Sequence, residues 1–400
     1  MRHNDRLSMV LSIAASSGLL ANDLFLPLLP AIKNLFDVGI VETQLLLIHF
    51  LFVMGLTQLA YPMLIRILGK RNTLLLGLLV FGAASLSLIL ARTFEHLILL
   101  RTLQAFGAGL CLALSRVILR SQMSPEEAHR GFIMMATVMG IMPAAAPLLG
   151  FALNEAFNLK ACFIAGTVFS LSISTLISAL KMIGAEDQDQ KSQSLGSYVG
   201  KYTQIVVSRE FWHYAIIPCF AYAAYFSYIC VSPYFLELGG LSTSSVAASY
   251  AALSFTYVLG SFLARKLVTH HGVDTSLFLG HVFFLAGGLW TSLEFIYNPT
   301  APLQCVLAMS LLTLGNGFLL PLGTAATLST NSSTPALLPA VLGFFQFCIA
   351  ASCAYVAGLL MSHDMGRVGL LIASISVVAF AVSSYDRYFG RQRRKVTAGV

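Results

Sequence analysis

Twelve long apolar segments divide this chain of 400 residues. A helix needs about 20 mostly apolar residues to cross a bilayer, and each segment reaches that length. Only 10% of the residues are charged and 57% are hydrophobic, whereas soluble domains are roughly one-quarter charged. We therefore predict an all-α polytopic membrane protein with twelve transmembrane helices in two six-helix halves. The expected spans lie at about 9–32, 41–64, 73–92, 95–119, 131–153, 161–183, 211–236, 243–268, 275–295, 301–328, 337–361 and 366–385.

The positive charges predict the orientation of these spans. If the N-terminus is cytoplasmic, eighteen Lys and Arg residues lie inside and four lie outside. Because cytoplasmic loops carry the excess of basic residues, both termini are expected in the cytoplasm of a bacterial-type inner membrane. The same bias accounts for a pI near 9.1, so we expect the lipid bilayer and no nucleic acid among the partners.

One long polar break separates the first six spans from the last six. We predict an N-terminal half at 1–183, a cytoplasmic linker at 184–208, a C-terminal half at 209–390 and a basic cytoplasmic tail at 391–400. The linker carries apolar residues at helical spacing, which predicts an amphipathic helix on the inner membrane face. These residues are Leu195, Tyr198, Val199, Tyr202 and Ile205.

Several other classes of protein are disfavoured by missing motifs. The seven cysteines form no C-x-x-C pair, so neither a metal site nor a disulfide framework is predicted. No phosphate-binding G-x-x-x-x-G-K-[ST] loop is present. No spacing of Ser, His, Cys or Asp indicates a catalytic site. We expect no enzyme activity, no cofactor and no metal.

Both halves carry a basic cluster and a glycine between their second and third spans. Duplicated halves of this kind are typical of secondary transporters. In the first half the set is Arg66, Gly69, Lys70 and Arg71, and in the second half it is Arg265, Lys266 and Gly272.

Several short motifs, taken in order along the chain, resemble those of one transporter family. Each motif is weak alone, but together they resemble the Bcr/CflA-type drug:proton antiporters of the major facilitator superfamily. The stretches are ANDLFLPLLP in the first span, RTLQAFGAG at 101–109, PAAAPLLG at 143–150, and the segments 226–242, 315–329 and 342–351. The resemblance implies twelve helices around a central cavity. At the end of the second span Pro62 replaces the usual glycine, and in the loop that follows Arg66 replaces an acid that, in relatives, helps to hold the two halves together on the cytoplasmic side.

Asp23 lies near the middle of the first span, where a charged side chain is expensive and usually functional. We predict that it exchanges the coupling proton. Arg101 in the fourth span lies at a similar depth and is its expected partner. His49, also at that depth, is a candidate proton relay because histidine changes charge near neutral pH. Arg116, near the cytoplasmic end of the fourth span, is expected to extend to the membrane surface.

Aromatic walls with a few polar groups suit amphipathic ligands. We expect the substrate cavity to include Gln104, Tyr222, Tyr225, Asn316 and Gln346. Two prolines and a glycine in the fifth span, Pro143, Pro147 and Gly150, predict a bend at the interface between the halves.

These features predict a proton-coupled exporter of small amphipathic molecules that works by alternating access, functional as a monomer. Its partners would be protons and a small-molecule substrate. A dedicated metabolite or siderophore transporter on the same scaffold, even an importer, is the alternative, because the motifs do not fix the direction of transport. A membrane sensor without transport is a third reading, and the lack of a signalling domain disfavours it.

Overall fold

The computed structural model describes residues 3–179, 195–298, 301–330, 334 and 337–398, and these residues form helices and no strand. The helices are α1 His3–Ala15, α2 Ser17–Asp23, α3 Leu29–Phe36, α4 Ile40–Ser87, α5 Phe94–Gln122, α6 Pro125–Ala156, α7 Leu159–Ala179, α8 Leu195–Val206, α9 Arg209–Leu238, α10 Thr243–Tyr297, α11 Pro302–Leu328, α12 Leu338–Met361 and α13 Met365–Ala398. Short 3₁₀ turns lie at Leu26–Leu28 and Leu88–Leu90. We call α1–α7 the N-terminal half and α9–α13 the C-terminal half.

The first predicted span is not one regular helix. α2 ends at Asp23, and a 3₁₀ turn at Leu26–Leu28 leads into α3. Proline has no backbone N–H, so Pro27 cannot donate to the carbonyl of Asp23, and Pro30 cannot donate to that of Leu26. The two prolines thus remove the hydrogen bonds that would carry the helix past Asp23.

Ten apolar helical segments in the described part of the chain are long enough to cross a membrane. Two of them are unusually long: α4 has 48 residues and α10 has 55. At 1.5 Å per residue these lengths are roughly 70 and 80 Å, more than twice the thickness of a bilayer core. Each contains one glycine with non-helical backbone angles, Gly69 (φ 81°) and Gly272 (φ 78°). Positive φ is readily adopted by glycine, so each long helix breaks at that residue. The count of twelve crossings, with a turn at both glycines, stays a prediction.

The two halves repeat the same local packing. Gly107 on α5 lies against the backbone of Phe81 on α4, and Gly315 on α11 lies against the backbone of Phe284 on α10. Phe81 and Phe284 are 203 residues apart, as are the two glycines at the helix breaks. The common spacing supports duplicated halves.

The halves contact each other mainly through two helix pairs. α4 packs against α12, and α6 packs against α10. On the side where α4 begins, the Gln44 side chain crosses to the C-terminal half and donates from Nε2 to the carbonyl of Cys230, at 3.1 Å.

The predicted linker helix is present as α8, Leu195–Val206. It touches both halves: the Tyr202 hydroxyl donates to the carbonyl of Leu59 on α4, at 3.0 Å, and Ile205 packs against Phe211 and Leu338. Val199, predicted for the apolar face, is instead 64% exposed. Residues 184–194, the first part of the predicted linker, lie outside the described residues. At the other end, α13 continues as a helix through the predicted tail to Ala398.

Candidate functional site

Asp23 ends α2 at a buried position, with 5% of its surface exposed. One carboxylate oxygen, Oδ1, accepts a long hydrogen bond of 3.5 Å from the Asn22 side chain. The other oxygen, Oδ2, is buried and has no hydrogen-bond partner among the described residues. A buried carboxylate without full hydrogen bonding is costly in its charged form, so this oxygen is well suited to bind a proton.

Arg101 on α5 is buried beside α2 and is held by a defined set of contacts. Its Nη1 donates to the carbonyl of Ala21 at 2.9 Å and to Oε1 of Gln104 at 2.8 Å, while Nη2 donates to Oδ1 of Asn22 at 3.4 Å. The guanidinium also lies over the rings of Phe25 and Phe50, 5.0 and 4.3 Å from their centroids. The polar contacts and cation–π contacts fix the cation in place.

The structure brings Asp23 and Arg101 together but does not join them directly. The two side chains attract each other electrostatically, yet the hydrogen bonds of the guanidinium go to Ala21, Asn22 and Gln104. Asn22 lies between them in this network because it bonds both. Asn22 was not singled out from the sequence, although it stands next to Asp23 in the quoted motif.

Gln104 is placed behind Arg101 rather than in the cavity. Its Oε1 accepts from Arg101, and its Nε2 donates to the Ser85 hydroxyl on α4 at 2.8 Å. Both ends of the amide are therefore occupied, and the side chain orients Arg101. Its predicted contact with substrate stays a prediction.

His49 makes only a local hydrogen bond in the described structure. Its Nδ1 lies 3.1 Å from the carbonyl of Leu45, one turn earlier on α4. The side chain is half-buried and has no hydrogen bond to Asp23 or Arg101. Its role as a proton relay stays a prediction.

A small cavity lies where the two halves meet beside α2. Its volume is about 20 Å³, room for about one water molecule. Helices of both halves contribute to it: α1, α2, α4, α5 and α6 from the first half, and α9 and α12 from the second. The wall is mostly apolar: Ala15, Gly18, Leu19, Asn22, Phe50, Leu51, Met54, Leu112, Met139, Tyr222, Phe226 and Phe347.

Tyrosines of the C-terminal half face Asp23 across this interface. Tyr222 lines the cavity as predicted. Tyr222, Tyr225 and Tyr250 all lie within electrostatic range of Asp23, and Tyr257 lies within range of the first two. The sequence indicated the two tyrosines of α9 but not the two of α10, because no motif marks that face of α10.

Tyr225 does not line this cavity, and neither do the two remaining predicted residues, Asn316 and Gln346. Asn316 is buried within the C-terminal half and donates from Nδ2 to the carbonyl of Ala221, at 3.2 Å, which ties α11 to α9. Gln346 is half-buried on α12, next to Phe347, which does line the cavity. Asn316 therefore has a structural contact, and Gln346 is one residue away from the wall.

Arg116 is predicted to extend to the membrane surface, and that position stays a prediction. In the structure it lies within electrostatic range of Tyr61 on α4 and of Tyr222 on α9, so its guanidinium lies by the interface between the halves. The helical register could have indicated this, because Arg116 lies one turn after Leu112, a residue of the cavity wall.

The fifth span, predicted to bend at the interface between the halves, forms α6. α6 does pack against α10 of the other half, but it remains a continuous helix through Pro143 and Pro147. Gly150 lies directly against the carbonyl of Leu24, within its own half, and its place in a bend at the interface stays a prediction. This close contact places α6 against the chain break that follows Asp23.

The basic cluster surrounds the break in α4. Gly69 has the non-helical angles, and Arg66, Lys70 and Arg71 are half-buried around it. Arg66 has no carboxylate within ion-pair distance in the described part of the chain. No group of three or more His, Cys, Asp and Glu side chains that could hold a metal occurs among the described residues.

The chain was compared with known proteins. Residues 11–357 match the Major Facilitator Superfamily. The chain is 24% identical over 371 residues to the "Chloramphenicol resistance protein" of Pseudomonas aeruginosa, covering 91% of this chain and 82% of the relative. It is 25% identical over 379 residues to the "Multidrug resistance protein MdtL" of Klebsiella pneumoniae (strain 342), covering 91% and 92%.

A solved structure supports the fold. A crystal structure of a POT family transporter, in complex with a thioalcohol-conjugated peptide, superposes with a TM-score of 0.74 at 12% identity, covering 96% of this chain and 95% of that one. A sequence match over most of the chain and a shared fold point to the same conclusion. The chain belongs to the Major Facilitator Superfamily and is a membrane transporter, not an enzyme.

Proposed function

We propose that this chain is a proton-coupled secondary transporter that exports small amphipathic molecules by alternating access. The observation that carries the proposal is Asp23, a buried carboxylate beside a hydrogen-bonded arginine and at the edge of a cavity between the halves. In the part of the chain that the structure describes, one of its oxygens has no hydrogen-bond partner. Ionisable side chains inside a membrane domain commonly mark proton pathways.

The coupling would use the break in the first span. Asp23 ends α2, so movement of α2 relative to α3 changes what surrounds its carboxylate. In one state Oδ2 takes up a proton, and in the other state the proton leaves to the opposite side. Arg101 is bonded to α2 through the carbonyl of Ala21 and to its own helix through Gln104, and it supplies a positive charge beside the carboxylate.

Export of drug-like molecules is favoured by the relatives, which are named for resistance to chloramphenicol and to multiple drugs. The apolar and aromatic wall suits amphipathic molecules of that type. No observation on the chain favours a dedicated metabolite or siderophore transporter. The basic residues support a bacterial-type inner membrane with both termini in the cytoplasm, and the cavity lies within one chain, which supports a functional monomer.

The test is drug-driven proton release from purified protein in proteoliposomes, with chloramphenicol as the first probe and a pH-sensitive dye as the readout. Wild-type protein should release protons when the drug is added, and Asp23→Asn should not. Asp37→Asn serves as the matched control because Asp37 is exposed at the end of α3. Release by Asp23→Asn at the wild-type level, or loss in both variants, would contradict the assignment.

A further inference from the structure

Arg116 lies on the extension of the cavity wall toward the end of α5. Leu112, one turn earlier on α5, lines the cavity, and residues four apart share a helix face. Tyr222 both lines the cavity and interacts with Arg116. Tyr61, two turns after the wall residue Met54 on α4, is the other electrostatic neighbour of Arg116. Three helices from both halves thus meet around this guanidinium.

The guanidinium of Arg116 is not satisfied by the protein. Arg116 has no hydrogen bond and no carboxylate within ion-pair distance among the residues that the structure describes, although its side chain is half-buried. Arg101, on the same helix, makes three hydrogen bonds. A guanidinium carries five N–H donors in a planar fork that matches a carboxylate or a phosphate. The guanidinium of Arg116 can therefore bind an anion that is not part of this chain.

We infer that Arg116 binds the anionic group, a carboxylate or a related oxyanion, of a transported amphipathic molecule. This inference rests on the proposed function, because it takes the space between the halves as the transport path. Two N–H groups of the fork donate to two oxygens of the ligand, which makes the contact both strong and oriented. The apolar body of the same molecule then lies along Leu112, Phe226 and Phe347.

The position of Arg116 keeps this anion away from the proton site. Arg116 and Arg101 are fifteen residues apart on one helix, about 22 Å along its axis. Asp23 lies beside Arg101 at the far end. A negative head group at Arg116 is therefore well separated from the Asp23 carboxylate, and Tyr222 lies between the two charges, within electrostatic range of both. A substrate anion can therefore be bound at Arg116 whether or not Asp23 carries a proton.

The experiment uses three fluorescent probes with one aromatic body and different head groups: pyrenebutyrate, pyrenebutanol and pyrenebutyltrimethylammonium. Their binding to the purified full-length chain in phosphatidylcholine nanodiscs is measured by pyrene anisotropy, with no proton gradient. Wild-type protein should bind the carboxylate about tenfold more tightly than the alcohol, which corresponds to about 1.4 kcal/mol. Arg116→Gln should remove this preference while binding the alcohol as the wild type does.

Two variants separate the charge of Arg116 from other effects. Arg116→Lys keeps the charge without the fork and should retain part of the carboxylate preference. Arg120→Gln, one turn later on the same helix and exposed, should leave the preference intact. Equal binding of the three probes by wild-type protein, or an undiminished carboxylate preference in Arg116→Gln, would overturn the inference.

Two further arms identify the source of the anion and isolate this site from proton coupling. If phosphatidylglycerol in the nanodisc abolishes the carboxylate preference, Arg116 binds a lipid phosphate and the inference fails; an unchanged preference supports a substrate anion. Asp23→Asn should keep the preference. If that variant still releases protons normally, the proposed coupling fails while the site at Arg116 stands.

Discussion

Replacing Gly150 by alanine should displace the chain break that follows Asp23. A methyl group on Gly150 would lie 2.9 Å from the carbonyl carbon of Leu24 and closer still to its oxygen. Ordinary contacts between heavy atoms begin near 3.5 Å, so α6 and Leu24 must separate by about 1 Å. Leu24 directly follows Asp23, and the carboxylate should move with it.

The expected loss of stability follows from two opposing effects. Overpacking against backbone costs about 1–3 kcal/mol, while replacing glycine by alanine inside a helix contributes about 0.5–1 kcal/mol. Gly150→Ala should therefore be destabilised by about 1–2 kcal/mol. Gly140→Ala, on the same helix, is the control: its methyl group would meet the Val258 side chain at 3.3 Å, which can adjust, so its stability should be unchanged or slightly raised.

Thermal unfolding can be followed with a thiol-reactive dye, because five of the seven free cysteines are buried and react when the fold opens. Drug-driven proton release is measured on the same preparations. Gly150→Ala should melt earlier than wild type and lose most of its proton release, while Gly140→Ala should retain both properties. If Gly150→Ala matches wild type in stability and proton release, the contact with Leu24 has no role in positioning Asp23.

Further predictions concern the charged residues and the linker helix. Arg101→Lys should lower thermal stability and proton release, because one ammonium group cannot reach Ala21, Asn22 and Gln104 together. A melting temperature and a drug-driven proton release that both match wild type would contradict this. Arg66→Asp should favour outward-facing states by restoring the usual acid of the loop, and spin-label distances unchanged at both mouths would argue against it. Tyr202→Phe should weaken the contact of α8 with Leu59, and the backbone amides of α8 should then exchange hydrogen faster. Unchanged amide exchange in α8 would show that this hydrogen bond does not hold the helix in place.

The broad architecture was predictable because it follows from length and polarity. A bilayer admits backbone only as helices or closed barrels, so long apolar segments leave little choice of fold. The paired glycines were visible for the same reason: Gly69 and Gly272 stand beside basic residues between apolar segments, and the structure places a helix break at each.

The contacts within the site were less predictable because they depend on how the helix segments before and after each break are oriented. The sequence indicated that Asp23 and Arg101 lie at similar depth, but the chain break after Asp23 brings the Ala21 carbonyl and Asn22 to the guanidinium instead. The i, i+3 spacing of Arg101 and Gln104 accounts for their contact, but it does not show that Ser85 on another helix accepts from the remaining amide group.

The small volume between the halves has a consequence for selectivity. Pockets for drug-sized ligands usually enclose about 300–1,000 Å³, whereas this space is about 20 Å³. A drug-sized ligand can therefore bind only if the two halves move apart, and part of its binding free energy is used for that separation. Affinities should be modest even for good substrates. Phe50, Phe226 and Phe347 in the cavity wall make contacts that depend little on direction. Ligands of many shapes should therefore bind, and the size of a ligand rather than its shape should limit which molecules are transported.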